Sequence, residues 1–117
     1  MKIAKIEAIP VRYEMGVTIW DSLSRFSARQ AMLVKITTDD GYVGYGESAF
    51  FGGPLEVSKA IIEKQLTPFY LGRDPFMCEQ VWTEAYTASV KNGRRGAVVA
   101  ALSGIDIALW AVSYTHL

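Results

Sequence analysis

Few side chains in this sequence have the chemistry of a catalytic group. The 117 residues include one histidine, His116, and one cysteine, Cys78. A nucleophilic triad would therefore depend on a histidine beside the last residue. No GxGxxG, Walker, GxSxG or CxxC motif is present. Cys78 falls on the inner side of an amphipathic helix pattern, so we expect it to be a structural thiol.

The carboxylates do not form the pattern of a metal site. Asp39 and Asp40 are adjacent in a predicted turn, while Glu56 and Glu63 are seven residues apart on a predicted helix. A metal ion needs several such groups on converging positions. We expect no metal site made by this chain alone.

Two carboxylates occupy less ordinary positions. Glu47 ends a Gly-rich predicted strand, where it could bond to loop amides, which we favour, or contact a ligand directly. Asp106 lies inside the apolar helix sequence SGIDIALW, where an unpaired charge would be costly to bury. Ser103 is three residues earlier, on the same face. We expect Ser103 and Asp106 to be structural and to anchor a neighbouring segment.

Composition excludes several classes of partner. Twelve Lys and Arg balance twelve Asp and Glu, and no segment concentrates either sign. We therefore expect neither nucleic acid nor a membrane surface as partner. The longest apolar run, residues 97–110, is shorter than a membrane span and contains an aspartate. A lone cysteine and the lack of a signal-peptide pattern favour the cytoplasm.

The elements that must position these residues fall into two halves. Strand patterns cover residues 2–11, 31–38 and 42–47, with a hairpin turn at Asp40-Gly41 between the last two. Residues 14–29 show no clean periodicity and contain Val17, Ile19, Trp20, Leu23 and Phe26. Long loops in small domains are often functional, so we expect a functional loop there.

Helix patterns follow the strands. Gly53-Pro54 predicts one helix start, with an end near Pro68, and Asp74-Pro75 predicts a second helix that ends at Asn92-Gly93. A third helix, beginning near Arg94, carries small residues at steps of four, which need close packing: Gly96, Ala100, Gly104 and Ala108. Three strands followed by three helices predict the α+β class, a three-stranded antiparallel sheet with a three-helix bundle.

These stretches together resemble a known family. MKIAKIEAIPV, MLVKITTDDGYVGYGES, the LGRDP helix start and GRRGAVVAALSGIDIALW are similar to the N-terminal domain of the mandelate racemase and muconate lactonizing group of the enolase superfamily. The resemblance implies a domain that caps a (β/α)8-type barrel. It implies an enzyme that abstracts the proton next to a carboxylate. Among such enzymes we favour an acid-sugar dehydratase over a racemase or a cycloisomerase.

The resemblance also implies which residues are involved. The substrate would be capped by two loops, for which we name Trp20, Arg25, Phe50 and Phe51, with Arg25 binding a substrate carboxylate or hydroxyl or pairing instead with Asp21. Mg²⁺ and the acid/base residues would belong to the barrel of the full-length enzyme, which would be a homo-oligomer acting on a carboxylate such as a sugar acid. The chain alone would be inactive.

The similarity ends after Trp110. We therefore expect residues 1–112 to form the capping domain, residues 113–117 to be a non-native or frayed tail, and the barrel to be absent. The alternative is a stand-alone α+β interaction module that binds a partner through the apolar loop and the small-residue helix.

Overall fold

The computed structural model describes residues 1–49 and 53–115. Three strands come first, β1 (Ile3–Trp20), β2 (Arg25–Thr38) and β3 (Val43–Ser48), and they pair antiparallel in the order β1-β2-β3. The helices that follow are α1 (Leu55–Ala60), α2 (Thr67–Tyr70), α3 (Cys78–Ala88) and α4 (Ala97–Tyr114). The predicted α+β class is confirmed.

The predicted loop at residues 14–29 is wrong, because most of this segment is strand. β1 runs on to Trp20 and β2 begins at Arg25, so the two form one long hairpin. Its tight turn is fixed by Asp21, whose Oδ1 accepts the amides of Leu23 at 2.8 Å and Ser24 at 2.7 Å. The pairing register shifts between Glu14 and Ile19. This shift interrupts the alternation of apolar residues that would have indicated a strand.

The first helical segment ends near Pro68, as predicted, and the second needs correction. Pro68 lies in the first turn of α2, directly after a π-helical stretch (Ile61–Leu66) that joins α1 to α2, and α2 ends two residues later at Tyr70. The next helix ends earlier than predicted, since α3 stops at Ala88 and only a 3₁₀ turn (Val90–Asn92) reaches the predicted end.

Asp74 is an N-cap, as predicted. It precedes a 3₁₀ turn (Pro75–Met77) that leads into α3, and its carboxylate accepts the amide of Phe76 at 2.9 Å. The last helix, α4, begins at Ala97 rather than near Arg94. Gly96 precedes α4 with a φ of 85°, so the backbone conformation, and not close packing, accounts for this glycine.

The core lies between the sheet and the helices. Alternate residues of the strands face inward, because successive side chains of a strand point to opposite sides. The fully buried side chains of the sheet include Met32, Val34 and Ile36. They meet Leu66, Val81, Leu102, Ile105 and Leu109 from the helices. The opposite face of the sheet is not covered by the helices.

β3 and α4 approach each other to backbone contact. A Cβ atom at Gly46 would collide with the carbonyl oxygen of Gly104 and would lie 2.7 Å from the amide nitrogen of Ala108. A Cβ atom at Gly104 would lie 2.9 Å from the amide nitrogen of Ser48. The Ser48 hydroxyl donates to the Ala100 carbonyl at 2.8 Å. Gly104 and Ala108, two of the small residues that were predicted to need close packing, therefore lie in contact with β3.

α4 is the core helix of the domain. By length and composition alone it could cross a membrane, with a mean hydropathy of 1.7 over its 18 residues, but half of it is buried inside the protein. The core helix of a globular protein can be equally long and apolar. Among the described residues no other helix is long and apolar enough to cross a membrane.

Replacing Gly46 by Ala should destabilise the protein by about 1–3 kcal/mol, since the new methyl group would overpack against the backbone of α4. Chemical denaturation monitored by circular dichroism measures this loss. Glu47→Ala, one residue along on the exposed side of β3, is the control and should stay within about 0.5 kcal/mol of the parent protein. Equal losses for the two variants would contradict the close contact.

Candidate functional site

The outer part of the long hairpin forms an open groove of about 540 Å³. The side chains that line it come from both strands and the turn, with Gly53 contributing from the segment before α1. They are apolar (Ile19, Phe26, Ala28), uncharged polar (Ser24, Ser27, Gln30) and cationic (Arg12, Arg25, Arg29). We call this surface the hairpin groove.

The strand register explains how the hairpin groove continues the core face of the sheet. Pro10 pairs with the buried Met32, and two residues further along each strand Arg12 pairs with Gln30. Residues two apart share a face of a strand. Ile19 and Phe26 form the next inward pair beyond the register shift. The inner face of the sheet therefore changes from apolar core to a mixed polar and apolar surface, beginning with Arg12 and Gln30, as the hairpin extends past the helices. Arg25, Ser27 and Arg29 belong to the alternate face of β2 and line the groove as well.

The hairpin groove is positively charged. Arg12 is paired with Glu14, with 2.7 Å between Nε and Oε1, and both side chains are more than half exposed. Within residues 1–49 and 53–115, neither Arg25 nor Arg29 takes part in an ion pair. Guanidinium groups bind carboxylates through two parallel hydrogen bonds. The groove is thus suited to an anionic ligand.

Of the two predicted capping residues that the structure describes, Arg25 lines the hairpin groove. The alternative pairing with Asp21 is not formed, since the Asp21 carboxylate accepts the turn amides instead. Trp20 is the cross-strand partner of Arg25 and is 73% exposed, but it does not line the groove. Phe50 and Phe51 lie outside the described residues. The capping role of all four residues stays a prediction.

The predicted structural residues lie apart from the hairpin groove. Glu47 lies on the exposed side of β3, opposite Leu33 of β2. Ser103 is exposed on α4, whereas Asp106 is half-buried. The Trp110 side chain donates a hydrogen bond to Asp106, and burial raises the pKa of this carboxyl group despite that bond. The predicted anchoring of a neighbouring segment stays a prediction.

The remaining chemical groups do not assemble a reaction centre. Cys78 is a buried free thiol at the start of α3, and burial raises its pKa. The hydroxyl group of Tyr70 is buried and has no hydrogen-bond partner among the described residues, and its pKa is also raised, chiefly by burial. His116 lies outside the described residues. Across the part of the chain that the structure describes, no three His, Cys, Asp or Glu side chains come together where they could hold a metal ion.

Sequence reasoning missed Arg12, Arg29 and Gln30 as groove residues, whereas Ile19 and Phe26 were named within the segment that we expected to be functional. The signal was present in the alternation of β1, where Ile6, Ala8 and Pro10 share one face and Arg12 continues it. An arginine on the core face of a strand indicates either a buried pair or the edge of a site. The misassigned loop hid this pattern.

The chain matches the family described as mandelate racemase / muconate lactonizing enzyme, N-terminal domain, over residues 9–114. It is 34% identical to D-galactarolactone cycloisomerase of Agrobacterium fabrum over 116 residues, which are 99% of this chain and 30% of the relative. It is 42% identical to arabinonate dehydratase of Saccharolobus solfataricus over 83 residues, which are 71% of this chain and 22% of the relative.

The fold has a counterpart among solved structures. The 3,6-anhydro-D-galactonate cycloisomerase from Zobellia galactanivorans superposes with a TM-score of 0.81 at 36% identity. The alignment covers 98% of this chain and 29% of that one. The chain thus spans less than a third of the length of these three proteins.

Asp106 makes the stability of the domain depend on pH. Because its pKa is raised in the folded state, the native protein binds more protons than the unfolded chain as pH rises above the ordinary value of 3.8. The free energy of unfolding should therefore fall over this range. Asp106→Asn should remove the part of this decrease in unfolding free energy that Asp106 causes. Denaturant titrations at several pH values measure the difference.

Glu56→Gln, which changes an exposed carboxylate on α1, is the matched control. A steeper fall in stability with pH in Asp106→Asn than in the parent protein would contradict the direction of the shift.

Proposed function

Because the chain belongs to the mandelate racemase and muconate lactonizing enzyme family, as its N-terminal domain, we propose that it caps the active site of an acid-sugar dehydratase. In this role it selects the substrate and does not transform it. The observation that carries the proposal is the hairpin groove, an open surface at the outer end of the sheet that is lined by three arginines.

The chemistry of the hairpin groove suits one end of a polyhydroxylated acid. Arg25 and Arg29 offer guanidinium donors for a carboxylate. Ser24, Ser27 and Gln30 offer hydrogen-bond donors and acceptors for hydroxyl groups. Ile19 and Phe26 supply apolar surface that would strengthen these contacts by excluding water. A sugar acid presents both kinds of polar group on one small chain.

The reacting end of the substrate would be handled elsewhere. The family resemblance implies Mg²⁺ and an acid/base residue on a barrel domain, and the described residues of this chain do not fit a metal ion. This chain's residues would bind and orient the far end of the substrate. Positioning of that kind raises the rate by holding the reacting carbon where the acid/base residue can reach it.

A cycloisomerase is the second candidate. Its support is the 34% identity with D-galactarolactone cycloisomerase, which extends along nearly the whole chain. The similarity to arabinonate dehydratase is higher in identity but shorter. Both reactions begin from a sugar acid or its lactone, so the hairpin groove would have the same task in each.

The alternative of a stand-alone interaction module has less support, because the small-residue helix, one of its two expected binding surfaces, is covered within the domain. Gly104 and Ala108 of the small-residue helix contact β3, and so they are not available to a partner. The apolar residues of the predicted loop are strand residues, of which Ile19 and Phe26 line the hairpin groove.

Arg25→Gln should lower kcat/KM about 10- to 100-fold in an enzyme that joins this domain to its barrel, since a charged hydrogen bond to the substrate is lost. The loss should be largest for substrates with a carboxylate at the far end. Steady-state kinetics on a panel of aldonates and aldarates measure it. Lys2→Gln, at the other end of the sheet, is the control.

Trp20→Ala in the same enzyme should change the ratio of kcat/KM values between substrates. An equal loss for every substrate, with either Trp20→Ala or Arg25→Gln, would contradict a role in specificity.

A further inference from the structure

A second groove lies between α3 and α4, on residues different from those of the hairpin groove. It is open, has a volume of about 400 Å³, and is lined by Glu79, Trp82, Thr83, Asp106 and Trp110. We call it the tryptophan groove. It therefore combines two indole rings with two carboxylates.

The two indole rings are each supported by a second aromatic ring. Trp82 stacks on Tyr86 with 5.0 Å between ring centroids and 8° between ring planes. Trp110 lies 5.9 Å from Tyr114, and its side chain donates a hydrogen bond to Asp106. These contacts restrict the rotamers of both tryptophans, so the faces of the groove are organised before anything binds.

The two carboxylates lack a cation. Within residues 1–49 and 53–115 the ion pairs are Lys5–Glu7, Arg12–Glu14, Lys59–Glu63 and Arg73–Glu84, and none includes Glu79 or Asp106. Asp106 is half-buried, and burial raises its pKa, which means that its charged form is poorly stabilised here. A cation entering the groove would compensate that charge.

We propose that the tryptophan groove binds an arginine side chain from the surface of another protein domain. A guanidinium group is planar and stacks on indole faces while it donates to carboxylates, whereas an ammonium group offers only a point charge. The exposed aromatic surface beside the groove favours a protein over a free small molecule, since Tyr114, which contacts Trp110, is 69% exposed. Apolar residues around a charged anchor are typical of protein interfaces.

The test is a titration of the 117-residue protein with the peptide acetyl-Ala-Arg-Ala-amide, followed by NMR of the three tryptophan indole N–H groups. The signals of Trp82 and Trp110 should shift and saturate. Trp20, which lies on the hairpin, should not shift and is the internal control. The same peptide with citrulline in place of arginine has a neutral side chain of nearly equal shape and should bind at least about tenfold more weakly.

Two variants complete the test. Asp106→Asn should weaken peptide binding about tenfold, and Glu79→Gln, an exposed position that leaves folding intact, should weaken it in the same direction. Glu56→Gln on α1 should have no effect. The proposal fails if the citrulline peptide binds equally well, if Trp20 shifts with the other two, if tetramethylammonium binds as tightly as the arginine peptide, or if neither acidic variant weakens binding.

Discussion

The contact between β3 and α4 is the constraint on which the rest of the domain depends. At Gly46 and Gly104 the strand and the helix meet without an intervening side chain, and Ser48 adds a hydrogen bond to the helix backbone. Backbones this close leave little freedom to slide or rotate. The sheet is therefore held at a fixed angle on α4, and β2 and β1 follow through their ladders.

This fixed sheet determines where the two polar surfaces lie. The β1–β2 ladder carries the inner face of the sheet past the helices, where Arg12 and Gln30 follow the pair formed by the exposed Pro10 and the buried Met32. The hairpin groove thus extends the core face, with Arg12, Ser24 and Gln30 added to the apolar residues Ile19, Phe26 and Ala28. The tryptophan groove lies instead on the side of α4 that faces α3. One would bind the anionic substrate and the other a cationic protein side chain, so the two surfaces have opposite charge and separate ligands.

Much of this fold could be predicted from the sequence, and the failures have physical causes. Asp40-Gly41 and Asp74-Pro75 act locally, so the turn and the N-cap were predicted correctly. The steps of four along α4 correctly predicted a close contact at Gly104, although Gly96 owes its presence to a positive φ. The long hairpin was missed because the register shift after Glu14 breaks the two-residue period. The tryptophan groove depends on how α3 and α4 pack, a tertiary arrangement that no local pattern encodes.

The most direct test of the account is the turnover of sugar acids by the purified 117-residue chain in the presence of Mg²⁺, on a sample shown to be folded by its cooperative thermal transition. A domain that only caps and selects the substrate should give no product above the rate without protein. Product formation that EDTA abolishes would contradict the account, because it would require a metal-dependent reaction centre within this chain.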